Sequence, residues 1–151
     1  MALKIGQPAP DFEVMDQNKN KVSLASLKGK RVVLLFYPMD FSPTCTDEHC
    51  TFGPAIDKIK TDADTVVFGV STDHPFAHEA YKKQYKIPYD LLADVNRKMV
   101  KAYDMFMGEE PFNCGKRGTV VIDKNGKIAH WHEQSPREAR SLESIIAAAK
   151  G

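Results

Sequence analysis

Apolar residues fall in short blocks along this chain, and their spacing switches between a period of two and a helical period. In "DFEVMDQNKNKVSL", Phe12 and Val14 alternate with polar residues, "QNKN" turns, and Val22 and Leu24 alternate again, which predicts a β-hairpin. "KGKRVVLLFYP" is a continuous β-branched and aromatic run closed by Pro38, as expected of a strand buried on both faces of a parallel or mixed sheet. A helix is expected from about Pro43 to Lys60, with Phe52, Ile56 and Ile59 on one face and Gly53-Pro54 placed to kink or divide it. "TVVFGVS" reads as a second buried strand, and Pro75 opens a helix that runs through Tyr85. "YDLLAD" is a short strand and "NRKMVKAYDMF" a short helix. "GTVVIDKNGKIAHW" is a hairpin turned at Asn125-Gly126. "SPREARSLESIIAAAK" predicts the closing helix, with Ser135 as cap and Pro136 at its first position.

The predicted order is ββαβαβαββα. It implies an α/β fold: a mixed central sheet flanked by helices, with an N-terminal β-hairpin. No linker, repeat or low-complexity segment divides the chain, so residues 1–151 read as one domain.

Composition narrows the functional classes. Lys plus Arg number 21 and Asp plus Glu 20, with no basic cluster, which argues against nucleic acid or an anionic membrane as partner. The longest apolar run, "VVLLFY", is too short to span a bilayer. "MALKIGQPAPDFEV" has no apolar run before its first proline, so a secretory signal is not expected and a cytoplasmic location is. Three cysteines is an odd and sparse count. It points to reactive or buried thiols rather than a disulfide framework.

The stretch "FYPMDFSPTCTDEHC" carries two of those cysteines. Ser42 is a good helix cap and Pro43 a good first helical residue, which makes Cys45 the third. Its sulfur is then expected beside free backbone N–H groups at the positive end of the helix dipole, an environment that favours thiolate. Asp47 and Glu48, read as part of the same first turn, oppose that. A cation must compensate, and Arg117, just before the strand "GTVVID", is the best candidate. Cys50 follows five residues later. On helical geometry the two Cα atoms lie about 8.6 Å apart, whereas a disulfide needs less than about 7 Å. A Cys45–Cys50 bond therefore requires at least one turn to unwind.

"YPMDFSPTCTDEHC" resembles the peroxiredoxin signature, in which a proline, a Thr or Ser and a peroxide-reacting cysteine recur at fixed spacing. It is most similar to the bacterioferritin-comigratory or peroxiredoxin Q class of the alkyl hydroperoxide reductase and thiol-specific antioxidant family. "GQPAPDF" and "KRGTVVIDKNGKI" match in kind and order, so the resemblance spans essentially the whole chain. It implies a thioredoxin-like fold and thiol-dependent reduction of hydrogen peroxide and organic hydroperoxides, without a cofactor or metal. It makes Cys45 the peroxidatic cysteine and Cys50 the resolving one. Ser42 becomes the hydroxyl that bonds thiolate and peroxide, Pro38 the shield over the sulfur, and Arg117 the family's arginine. Glu48 is implied as a supporting acid. The implied reductant is thioredoxin or a glutaredoxin-like protein, and the implied assembly a monomer or weak homodimer. Two positions depart from the pattern. Thr44 stands where glycine is frequent, and Cys114, three residues before Arg117, is an alternative resolving thiol.

Two other functional classes use cysteines on a similar fold. A copper-carrying thioredoxin-like metallochaperone would use Cys45, Cys50 and a histidine, although such carriers have another cysteine spacing. A thiol–disulfide oxidoreductase would show C-x-x-C, which is absent. His49, four residues after Cys45, is expected to be a solvated helix histidine rather than a base or ligand. His74 and His78 flank a helix start, and His130 and His132 share a strand face. All four are expected to be structural, without acidic companions. Cys114 is expected to be a free or half-buried thiol.

Overall fold

The computed structural model describes residues 3–150. Strands β1 (Glu13–Met15) and β2 (Lys21–Ser23) form the N-terminal hairpin, with Val14 opposite Val22. Strand β3 (Arg31–Phe36) leads through residues 37–42 into helix α1 (Pro43–Phe52). A 3-10 turn at Gly53–Ala55 separates α1 from α2 (Ile56–Ile59), so the Gly53-Pro54 pair does divide the helix. Then come β4 (Thr65–Ser71), α3 (Pro75–Tyr85), β5 (Asp90–Ala93) and α4 (Lys98–Ala102). The chain closes with the hairpin β6 (Arg117–Ile122) and β7 (Ile128–Gln134), followed by α5 (Leu142–Lys150).

The seven strands form one sheet in the order β2-β1-β5-β4-β3-β6-β7. Strands β3, β4 and β5 run parallel, while β6 pairs antiparallel with β3. Strand β3 is thus central, and its side chains serve both faces alternately. Val32, Leu34 and Phe36 join a core with Val70, Leu92, Val100, Tyr103 and Val120. Val33, Leu35 and Tyr37 join another with Phe52, Ile59, Tyr81, Leu91 and Ile145. Cys45 belongs to the second core, directly beyond the carboxyl end of β3, where open α/β sheets place their sites.

The closing helix differs from its prediction. Ser135 does not cap it. Its hydroxyl accepts a bond from the Arg137 amide at 3.3 Å, within a turn. The helix starts at Leu142, and Ser141 Oγ accepts from the Ser144 amide at 3.2 Å. Residues 136–140 stay irregular because their polar groups are drawn inward. The Pro136 carbonyl accepts from Arg117 Nη2 at 3.0 Å, and the Arg140 amide donates to Glu48 Oε2 at 2.7 Å. A helix through this stretch would turn those groups onto itself.

Among the described residues, no helix is long and apolar enough to cross a membrane.

Candidate active site

Ser42 occupies the cap of α1 with extended backbone (φ −68°, ψ 145°), Pro43 is the first helical residue, and Cys45 is the third. Ser42 departs from the expected cap in one respect: its side chain makes no capping hydrogen bond. Its hydroxyl and the first-turn amides therefore remain available to a ligand. The first turn also holds no acidic residue, so the expected placement of Asp47 and Glu48 there is corrected. Asp47 is exposed, whereas Glu48 is buried.

Cys45 is fully buried, and Pro38 is buried in the loop before it. Arg117, at the start of β6, places Nη2 3.2 Å from Cys45 Sγ. Its Nη1 donates to Glu48 Oε1. Arg140 completes the group. Its Nε donates to Glu48 Oε2 at 2.8 Å, its Nη2 to Glu48 Oε1 at 3.0 Å and its Nη1 to the Gly118 carbonyl. Glu48 and both arginines are nearly inaccessible to solvent. Two guanidinium groups face one carboxylate beside the sulfur, which leaves an excess of cationic side chains there. Glu48 therefore holds the two arginines in place instead of opposing the site. Arg140 is the residue that sequence reasoning missed. Its only signal was an arginine in a segment read as part of the closing helix.

The loop before α1 is fixed by a second buried network. Tyr37 Oη donates to Asp40 Oδ1 at 2.6 Å, and His78 Nδ1 lies 2.7 Å from Asp40 Oδ2. His78 Nε2 donates to the Leu92 carbonyl at 3.0 Å, and the Asp40 amide donates to Asp73 Oδ2 at 2.8 Å. Burial, with Asp40 beside it, raises the Asp73 carboxyl. The expectation that His78 lacks an acidic companion is thus overturned, because "MD" in the loop and "DH" before α3 converge. Asp40, Asp73 and His78 bring ligand-type atoms within 4.8 Å of one another. The facing His78 and Asp40 atoms already bond each other, so the trio holds the loop together by itself. Phe41 adopts a left-handed backbone (φ 68°), an uncommon choice for a bulky residue. Its ring rests on Tyr81, with centroids 4.8 Å apart.

Cys50 is exposed at the far end of α1, whereas Cys45 is buried in an unbroken helix. Thr44 is half-buried beside the cap. Cys114 is buried rather than half-buried. Burial pushes its thiol up, and the charges of Asp73 and Cys45 add to this. His49 also differs from expectation. It is buried, with Nδ1 bonded to Tyr89 Oη and Nε2 without a partner. His130 and His132 do share a face of β7, with ring centroids 6.5 Å apart.

Known proteins resemble this chain along most of its length. The AhpC/TSA family model matches residues 5–131. The chain is 34% identical to Peroxiredoxin Bcp of Bacillus subtilis, over 96% of both chains. It is 40% identical to the chloroplastic Peroxiredoxin Q of Gentiana triflora over 82% of its own length, and it spans 56% of that longer relative. Among solved structures it superposes on the reduced 2-Cys peroxiredoxin of Plasmodium vivax with a TM-score of 0.87 at 27% identity, covering 98% of this chain and 81% of the other. Mycobacterium tuberculosis AhpC, at 21% identity and a TM-score of 0.86 over 99% of this chain and 93% of the other, shares the fold. The comparisons lend no support to a copper carrier. The chain belongs to the AhpC/TSA family and, by its relatives, to the Bcp and Peroxiredoxin Q class of thiol-dependent peroxidases.

Proposed function

We propose that the peroxidase reaction runs through Cys45, with Cys50 as the resolving thiol. The observation that carries this reading is Arg117 Nη2 at 3.2 Å from a fully buried Cys45 Sγ, on a helix whose first-turn amides the Ser42 side chain leaves uncapped.

The Cys45 thiolate attacks the nearer peroxide oxygen in line with the O–O bond. Sulfur loses two electrons, the O–O bond breaks, and the far oxygen leaves as hydroxide or alkoxide that takes up a proton. Arg117, the Ser42 hydroxyl and the helix amides stabilise the charge as it moves from sulfur to the leaving oxygen. Pro38 restricts solvent at the sulfur. Glu48, held by Arg140, orients Arg117. Thr44 narrows the entrance beside Ser42.

The product is a Cys45 sulfenic acid. It condenses with a thiol, releasing water and forming a disulfide. Cys50 is favoured because it is exposed and lies on the same short helix. Cys114 is disfavoured because its buried thiol is raised, so less of it is thiolate. A thioredoxin-type dithiol, or a glutaredoxin-like one, then restores the enzyme by exchange. The location we assign is the cytoplasm, and the working form a monomer or weak homodimer without nucleic-acid or membrane partners.

The test is peroxide consumption with thioredoxin, thioredoxin reductase and NADPH, without added metal. Turnover that Cys45→Ser abolishes supports the reading. Turnover that survives Cys45→Ser contradicts it.

A further inference from the structure

His49 is the last residue between the two reactive cysteines, and it is buried in an unusual way. Its ring meets the Tyr37 ring edge-on at 4.5 Å and the Tyr81 ring at 5.5 Å, and Tyr89 closes the pocket through Nδ1. Gly69 on β4 borders the pocket, and a Cβ there would first meet Leu91 Cδ2, at 2.7 Å. It would also stand 3.5 Å from His49 Cε1 and 3.2 Å from Tyr37 Cε1. Lys82 fixes the Tyr89 segment, with Nζ donating to the Ile87 carbonyl at 2.7 Å and the Tyr89 carbonyl at 2.8 Å. Nε2 is buried without a hydrogen-bond partner. A neutral imidazole tolerates this. An imidazolium would strand a charged donor among aromatic rings.

The surrounding groups reinforce that restriction. The titratable and charged groups around His49 are Tyr37, Tyr81 and Tyr89, with Arg117, Arg140 and His78 acting from β6, the segment before α5, and α3. Glu48 and the two cysteines share its helix. Burial first, then Arg140, Arg117 and His78, lower the His49 imidazole to about 3.

We propose that His49 is a proton-operated latch on α1: seated between the tyrosine rings it keeps the Cys45–Cys50 turn wound, and released to water it takes up a proton that keeps the turn unwound. This rests on the Cys45–Cys50 disulfide proposed above. The bond cannot close on an intact helix, and His49 is the immediate neighbour of Cys50, so the unwinding that brings Cys50 to Cys45 draws His49 from its pocket. The orphaned Nε2 gains a water partner on release, which lowers the cost of opening.

The linkage has a definite sign. The wound state binds no proton at His49 above about pH 3, whereas a solvated imidazole binds one below about pH 6.5. Acid therefore favours the unwound state, up to tenfold per pH unit between those limits. Oxidation of the pair by peroxide releases two electrons and two protons from the thiols as the disulfide and water form. Those two protons end in the water formed, so below about pH 6.5 the proton that His49 takes up comes from solvent. Between pH 7.5 and 5.5 the disulfide gains about tenfold over a protein lacking this group, equivalent to about 30 mV for a two-electron couple.

The test equilibrates the Cys114→Ser protein, with His49 or with His49→Asn, against dithiothreitol of known potential at pH 7.5 and 5.5. The expected result is a disulfide-to-dithiol ratio that rises about tenfold more for His49 than for His49→Asn over that interval. Parallel behaviour overturns the latch. A titration of the His49 ring by NMR, in the reduced and disulfide forms of the unaltered protein, tests it without a substitution. A midpoint near 6.5 in the disulfide form alone supports it, and equal midpoints in both forms overturn it. If peroxide yields no Cys45–Cys50 disulfide at all, the resolving role of Cys50 fails first, and the latch falls with it.

Discussion

Arg140 meets Glu48 across 92 residues of sequence with its backbone amide, its Nε and its Nη2, at 2.7, 2.8 and 3.0 Å. These bonds tie the segment before α5 to the reactive helix. This tie holds the Glu48 side chain in place in the core and thereby keeps Arg117 aimed at Cys45. Arg140→Met leaves the Glu48 carboxylate with one guanidinium partner. We expect a loss of about 3–5 kcal/mol in stability, read by urea unfolding, together with slower reaction of Cys45 with peroxide. Unchanged stability and rate would show that the bond is incidental.

Arg117→Ala removes the cation that touches the sulfur. The expected loss is about 10²- to 10³-fold in the second-order rate with hydrogen peroxide, the scale of losing a preorganised donor to a developing anion. Stopped-flow competition against a reference thiol reads the rate directly. A change within twofold would move the electrostatic role to the helix amides.

Asp40→Ala strips the carboxylate partners from Tyr37 Oη and His78 Nδ1. Buried donors left without acceptors cost about 1–3 kcal/mol each. The expected outcome is a destabilised protein with faster amide exchange across residues 37–42. Protection equal to that of the unaltered chain would mean that another contact holds this loop.

The reduced enzyme should lose stability in acid partly through His49. Its imidazole is lowered to about 3 in the folded state, so the unfolded chain binds the extra proton as pH falls below about 6.5. The stability it contributes is present above that value and is lost towards pH 3, by about 1.4 kcal/mol per pH unit. His49→Gln should flatten the profile in this window. Identical slopes in urea unfolding from pH 7 to 4 would show that the ring titrates normally in the folded state.

The part of this account legible in the sequence is the part encoded locally. Val32 to Tyr37 announce a strand buried on both faces, and Pro43, Pro75 and the Asn125-Gly126 pair mark element ends through backbone restrictions that act over a few residues. Cys45 at the third helical position follows from the same rules. Arg117 needed one long-range step, the search for a cation to balance Asp47 and Glu48. Three features were hidden because they arise only when distant segments meet. Arg140 is drawn inward by Glu48, which displaces the start of α5 from Ser135 to Leu142. His78 acquires its acid from a loop on the other side of β4. His49 looks solvated by its polarity alone, and only the convergence of Tyr37, Tyr81 and Tyr89 buries it.

Cys50→Ser should separate the two halves of the cycle. The first reaction with peroxide proceeds, a sulfenic acid persists at Cys45, and excess peroxide carries it on to the irreversible sulfinic acid. Cys114→Ser should turn over like the unaltered enzyme. Resistance of Cys50→Ser to over-oxidation, or loss of turnover in Cys114→Ser, would reassign the resolving role.

The most direct test treats the reduced protein with one equivalent of hydrogen peroxide and reads intact and peptide masses, beside Cys45→Ser, Cys50→Ser and Cys114→Ser. The account predicts a Cys45–Cys50 disulfide that both of the first two substitutions abolish and the third preserves. A Cys45–Cys114 disulfide would keep the peroxidase and leave α1 wound. No modification of Cys45 within seconds would contradict its assignment as the peroxide-reacting residue.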